Sequence, residues 1–166
     1  MLRVMLVDDE PLALEGLKLL IDWRAEGFEV CAECASGAEA LARADATRPD
    51  LILTDIRMPG LDGLELMHTL LKRGFTGQFI VVSGYNDFEY AKRAMRCGVA
   101  GYLLKPIEPD EAAQVLEHVR RKLIDREAGD AERRVPAQRA VTALLAGYGA
   151  PEGAVPAGNA WRLATW

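Results

Sequence analysis

The chain has 166 residues, half of them hydrophobic and 27% charged, with a formal net charge of -5. That length suits one well-packed domain plus an appendage and is short for two full domains. The negative balance argues against bulk attraction to DNA or to an anionic membrane, no apolar run reaches the roughly eighteen residues of a membrane span, and MLRVMLVDDE lacks a signal-peptide layout, so a cytoplasmic protein with no membrane partner is expected.

The first strand is read over RVMLV, residues 3 to 7, and it runs into Asp8, Asp9 and Glu10. Pro11 suits the first turn of a helix, where its missing N–H has no intrahelical partner to lose. That helix places Leu14, Leu17 and Ile21 on one side with Leu20 beside them, and it is expected to end near Trp23. FEVCAEC forms the second strand, and an alanine-rich helix then stops ahead of Pro49. LILT is the third strand, followed by a helix from about Asp62 to Arg73 whose buried side holds Leu64, Met67 and Leu71. QFIVVS, a helix from about Asp87 to Cys97, the short strand GYLL, and a helix from Pro109 into the 120s complete the order. In that last helix Ala112, Leu116, Val119 and Leu123 mark one apolar stripe.

Continuous apolar strands alternating with amphipathic helices predict an α/β fold, a doubly wound parallel sheet covered on both faces. In such sheets working residues gather beyond the C-terminal strand ends, at the switch in strand order. Those ends carry Asp8 and Asp9, then Asp55, then Ser83, then Lys105. Taken alone, Asp55 after LILT reads equally as a site residue or as the start of a turn. The convergence of three carboxylates, a hydroxyl and an amine on one edge favours a site.

Carboxylates crowded together repel, and a hard divalent cation with oxygen ligands, most plausibly Mg²⁺, relieves the repulsion. Asp9 and Asp55 are the expected direct ligands, Asp8 acts through a bound water, and the backbone carbonyl of Arg57 fills another position. Lys105 and Ser83 supply donors for a tetrahedral anion attached to Asp55. A carboxylate can attack phosphorus, so acyl-phosphate formation on Asp55 is the chemistry this edge suggests. There is no G-x-x-x-x-G-K-[ST] loop and no G-x-G-x-x-G after the first strand. His68 and His118 both fall inside predicted helices and read as surface residues, which leaves no histidine nucleophile at the edge. Cys31 and Cys34 have the spacing of a metal or redox half-site, but alternation along a strand turns residues three apart to opposite faces, so free thiols are expected.

The segments VDDEP, TDIRMPGLDG, VVSGY and GYLLKP, in this order and spacing, resemble the receiver domain of bacterial two-component response regulators over roughly residues 1 to 124. The resemblance implies a five-stranded sheet in the order 2-1-3-4-5 with five helices, a flavodoxin-like arrangement. It implies that Asp55 accepts a phosphoryl group from a sensor histidine kinase, that Asp8 and Asp9 form the acidic Mg²⁺ pair, and that Lys105 is the family's lysine. Ser83 and Tyr102 take the places of the switch hydroxyl and switch aromatic, and Met58, Pro59 and Gly60 shape the loop beside the acceptor. Ordinary statistics favour a trans bond between Lys105 and Pro106, and the resemblance reverses that expectation to cis. Such a domain catalyses its own phosphorylation and slow dephosphorylation without being a metabolic enzyme.

LVDDEPLALEGLKLLIDW and SGYNDFEYAK, with Trp23 closing the first helix, resemble more particularly receivers joined to an AraC-type helix-turn-helix output domain. Lys92, Arg93 and Arg96 on the fourth helix, with Glu108, Asp110 and Glu111 at the start of the fifth, suit ion pairing in a phosphorylation-promoted homodimer. Residues 125–166 are rich in alanine and glycine, with one short amphipathic stretch near QRAVTALLAG, and read as a linker or the start of a middle region. They contain no basic two-helix DNA-reading unit, so a truncated chain is expected, with DNA bound only through a missing output domain. A single-domain phosphorelay protein and a phosphorylation-independent pseudo-receiver are the rival readings. A haloacid-type phosphatase would need a second aspartate where Arg57 stands.

Overall fold

Short segments rich in apolar and β-branched residues, the second interrupted by Glu29 and Glu33, become five strands in the computed structural model, which describes residues 1–84, 88–126 and 128, with 88–91 described by their backbone alone. The strands are β1 (Leu2–Val7), β2 (Phe28–Cys34), β3 (Leu51–Asp55), β4 (Gln78–Ser83) and β5 (Gly101–Leu104). Between them run α1 (Pro11–Leu20), α2 (Gly37–Thr47), α3 (Gly63–Lys72) and α4 (Phe88–Arg96), and α5 covers residues 109–126. All pairings are parallel and the order is β2-β1-β3-β4-β5, as expected.

Every element above lies within one compact unit, Met1–Glu127. The amphipathic stretch near QRAVTALLAG and the residues Tyr85, Asn86 and Asp87 lie outside the described residues.

Alternation divides the core into two layers. Val4, Leu6, Leu51, Leu53, Ile80, Val82 and Leu103 pack with Leu14 and Leu17 of α1 and with Ala112, Leu116 and Val119 of α5. Met5, Val7, Ile52, Phe79 and Val81 face the other way, onto Ala40 and Ala44 of α2, Leu64, Met67 and Leu70 of α3, and Ala94 of α4. Both faces of the sheet are thus removed from water, which is why the strand sequences lack polar alternation.

Local signals set the helix ends. Ser36 caps α2 by accepting from the N–H of Glu39 at 3.2 Å. Asp62 and Glu65 form a reciprocal capping box at the start of α3. α1 stops at Leu20, three residues before the expected end at Trp23, because the chain turns extended at Ile21. Trp23 is nevertheless buried and its indole N–H donates to the carbonyl of Leu17 at 3.1 Å, so it closes the helix from outside. Leu71 was expected on the buried side of α3 but is exposed; Leu66 and Leu70 complete that side instead.

The alternation applied to CAEC is also corrected. The ladder between β1 and β2 pairs Val4 with Val30 and Met5 with Ala32, leaving Cys31 as the extra residue of a bulge. Cys31 therefore packs against the same layer as Ala32 and Cys34. All three cysteines are free. Burial pushes the Cys34 thiol up to about 11, and burial likewise raises Cys31, whereas Cys97 is exposed. Alkylation of the native protein at pH 8, followed by peptide mass mapping, is expected to modify Cys97 first. The raised pKa of Cys34 leaves it little thiolate at pH 8 and burial shields it, so it should react much more slowly, and urea is expected to abolish the difference.

Candidate functional site

The register brings the acidic residues together. β1 and β3 are neighbours with Val7 opposite Thr54, so Asp8 and Asp55 emerge side by side where the strand order reverses. Asp55 is the last residue of β3, one further than the apolar run suggested, and it lies opposite Val82 of β4. Asp8 and Asp55 are 1% and 7% exposed, an unusual state for carboxylates unless a cation or donors compensate them.

Lys105 is that compensation. Its Nζ lies 2.8 Å from Asp8 Oδ2 and 2.8 Å from Asp55 Oδ1. The residue follows β5, its backbone N–H donates to the carbonyl of Ser83 at 2.7 Å, and its bond to Pro106 is cis. The remaining carboxylate oxygens take backbone donors: Glu10 N–H reaches Asp8 Oδ1 at 2.9 Å, and Arg57 N–H reaches Asp55 Oδ2 at 2.7 Å. The sequence pointed to the Arg57 carbonyl; the amide donor was not legible from residue type, because any non-proline residue offers one.

Burial is the largest influence on Asp55 and raises its pKa; the hydrogen bond and charge of Lys105 pull it back, while the charge of Asp8 pushes it up again, and the net shift is upward. Burial alone would lower the pKa of Lys105, but its bonds to Asp55 and Asp8 outweigh that and raise it. The ammonium thus stays charged through the neutral range, where two carboxylates share it.

Ser83 is buried at the end of β4, and its hydroxyl donates to the carbonyl of Gly84 at 3.3 Å. Tyr102 is half-buried and packs on the layer of α2, α3 and α4, opposite to the layer holding its neighbour Leu103. Asp9 is half-buried and, with Arg57, Met58, Asp62 and Glu65, lines an open depression of about 540 Å³. The turn there needs a left-handed residue, supplied by Gly60 at φ 81°.

Asp8, Asp55 and Lys105 are therefore joined directly, while Asp9 stands at the rim. Among the described residues no group of three or more His, Cys, Asp or Glu side chains is arranged to hold a metal ion. The donor set at this edge is nevertheless all oxygen, which fits a hard cation rather than a soft one. His68 and His118 are exposed and distant from this edge in sequence and element, on α3 and α5. Among the described residues no helix is long and apolar enough to cross a membrane.

A doubly wound sheet with two carboxylates bridged by a lysine at its switch point defines a receiver-type domain, and comparison places the chain. The response regulator receiver domain model matches residues 4–117, and the chain belongs to that family. It is 39% identical over 119 residues to the uncharacterized transcriptional regulatory protein YesN of Bacillus subtilis, covering 72% of this chain and 32% of YesN. The positive alginate biosynthesis regulatory protein of Pseudomonas aeruginosa is 39% identical over 121 residues, 72% of this chain and 48% of that protein. Among solved structures, the receiver domain of AraT from Geobacillus stearothermophilus has a TM-score of 0.71 and 38% identity, covering 76% of this chain and 98% of that one. The chain spans about a third to a half of the length of these curated relatives.

Removing the bridging ammonium isolates two buried carboxylates. In the absence of divalent cations, Lys105→Ala is expected to lower the unfolding free energy by about 2 kcal/mol at neutral pH, discounted from a fully buried pair because the lysine is partly exposed. An acid whose folded pKa lies above its unfolded value gives stability at low pH that is lost as pH rises through the folded value. The variant pushes Asp55 further up, so its defect in urea midpoint should shrink as pH falls and Asp55 takes a proton.

Proposed function

We propose that this domain is a phosphorylation-dependent signalling switch in which Asp55 accepts a phosphoryl group from the phosphohistidine of a sensor kinase. The observation that carries the reading is the placement of Lys105 Nζ at 2.8 Å from both Asp55 Oδ1 and Asp8 Oδ2 at the strand-order switch point. A carboxylate oxygen of Asp55 attacks phosphorus, the P–N bond to the imidazole breaks, and the imidazole leaves with a proton from solvent.

Lys105, already within hydrogen-bond reach of Asp55, pairs with an oxygen of the arriving group, and the Ser83 hydroxyl turns from Gly84 to bond another. Arg57 N–H holds the non-attacking oxygen. Asp8, Asp9 and Asp55, with the Arg57 carbonyl, would hold Mg²⁺, which when bound neutralises charge on the transferring group. Inward movement of Ser83 frees space beside β4, and Tyr102, on the face away from Lys105, moves into it and alters the surface of α4, β5 and α5.

Lys92, Arg93, Arg96, Glu108, Asp110 and Glu111 are all exposed on that surface, which supports a phosphorylation-promoted homodimer. An output of the AraC type is supported by 36% identity to a Clostridium phytofermentans two-component transcriptional regulator named AraC, against 29% for the NarL receiver of Mycobacterium tuberculosis. DNA is then read by a part of the whole protein beyond this chain.

Intact mass after incubation with acetyl phosphate and Mg²⁺ checks the reading. A gain of one phosphoryl group on the wild type, absent from Asp55→Asn and from an EDTA control, is expected. No gain on folded wild type would turn the domain into a phosphorylation-independent docking module.

A further inference from the structure

Thr54 has no exposed surface, and its hydroxyl donates to the carbonyl of Asp55 at 2.9 Å. Ile52, two residues earlier, packs on the layer of α2 and α3, so alternation turns Thr54 toward that layer and away from the side of the sheet that Asp55 faces. Its polar contact with Asp55 therefore runs through the backbone.

The same peptide is also closely approached by Gly63, the first residue of α3. A Cβ at Gly63 would lie 2.2 Å from the carbonyl oxygen of Asp55 and 3.1 Å from Thr54 Oγ1, so no side chain fits without moving the backbone. The Gly63 N–H donates to the carbonyl of Ile56 at 3.0 Å, and the Ile56 N–H donates to the carbonyl of Val82 at 3.1 Å. One residue further, Arg57 N–H turns back to Asp55 Oδ2 at 2.7 Å. A tilt of the Asp55 peptide would carry Ile56 and Arg57 with it. The donor that orients the carboxylate would be displaced even though no side chain of the site had changed.

We propose that Thr54 and Gly63 are positioning residues for phosphoryl acceptance: they clamp the Asp55–Arg57 backbone so that one carboxylate oxygen meets Arg57 N–H while the other faces Lys105. The proposal rests on Asp55 being the acceptor. The capping box of Asp62 and Glu65 fixes the start of α3 and so fixes Gly63, which ties the clamp to a helix rather than to a loop.

The test compares wild type with Thr54→Val, which keeps the β-branched shape and removes the hydroxyl, Thr54→Ser, which restores the hydroxyl, and Gly63→Ala. Three quantities are read: the rate of phosphorylation by acetyl phosphate with Mg²⁺, the urea midpoint, and, without divalent cation, the chemical shift and exchange protection of the Arg57 amide. Thr54→Val should slow acceptance about fivefold, the rate equivalent of one neutral hydrogen bond, and weaken Arg57 protection while the Ile52 amide is unaltered. Thr54→Ser should recover both. Gly63→Ala should lose more, up to about a hundredfold, as expected for a misplaced reacting group.

An Arg57 amide and an acceptance rate in Thr54→Val equal to wild type would overturn the clamp. So would equal losses in the serine and valine variants, because serine retains the hydroxyl, and the effect would then belong to packing at this buried position. Acceptance by Asp55→Asn equal to wild type would overturn the underlying assignment of the acceptor, a result separate from the behaviour of the Arg57 amide.

Discussion

Two carboxylates stand side by side almost without water, and a single ammonium lies 2.8 Å from each. Neither Asp8 nor Asp55 is tenable in that setting by itself, since burial penalises each charge and each repels the other. Lys105 follows the edge strand β5, so its side chain leans over the end of β4 to reach β3 and β1. That reach depends on the ladder: its own N–H is held by Ser83, which lies opposite Leu104 in the register. The ion bridge thus requires three strand pairings to be correct at once, and it ties the edge of the sheet to its centre.

A parallel sheet makes this arrangement possible because all its strands finish on one edge, and the reversal of order between β1 and β3 opens that edge to solvent. The two core layers then divide the work. Asp55 faces the side of α1 and α5, whereas Thr54, one residue before it, faces α2 and α3. On β5 the same alternation sends Leu103 to one layer and Tyr102 to the other. Adjacent residues on a single strand therefore connect the edge that carries Asp55 to both layers of the core.

The inner strands were legible because burial on both faces leaves apolar runs, and β2, whose Glu29 and Glu33 are exposed, β4 and β5 coincide with FEVCAEC, QFIVVS and GYLL. The residues of the site were legible for a related reason: polar groups at the ends of such runs have few structural uses. What escaped was backbone detail. A bulge at Cys31 adds one residue to one strand and reverses the face of everything before it, with no side-chain signature. The amide of Arg57 and the carbonyl of Asp55 carry no residue identity, so the contacts that orient the acceptor could not be read from composition. Leu71 shows the other limit, since helical periodicity gives a face only to within a residue when Leu66, Leu70 and Leu71 compete for it.

Charge balance gives the resting site its direction of change. Two carboxylates against one ammonium leave a net negative charge, softened by the amides of Glu10 and Arg57. A phosphoryl group on Asp55 would replace its single charge by about -1.5 to -2 and add three strong acceptor oxygens. Lys105 is already shared between two partners, so its one ammonium would face Asp8 and the added oxygens together. Further donors would have to come from nearby, and Ser83 is a buried hydroxyl at the end of the neighbouring strand, with the Gly84 carbonyl at 3.3 Å among its contacts. A long, weak hydrogen bond is easily exchanged for one to an anion. The same shortage of positive charge that would favour a bound cation would favour recruiting the Ser83 hydroxyl.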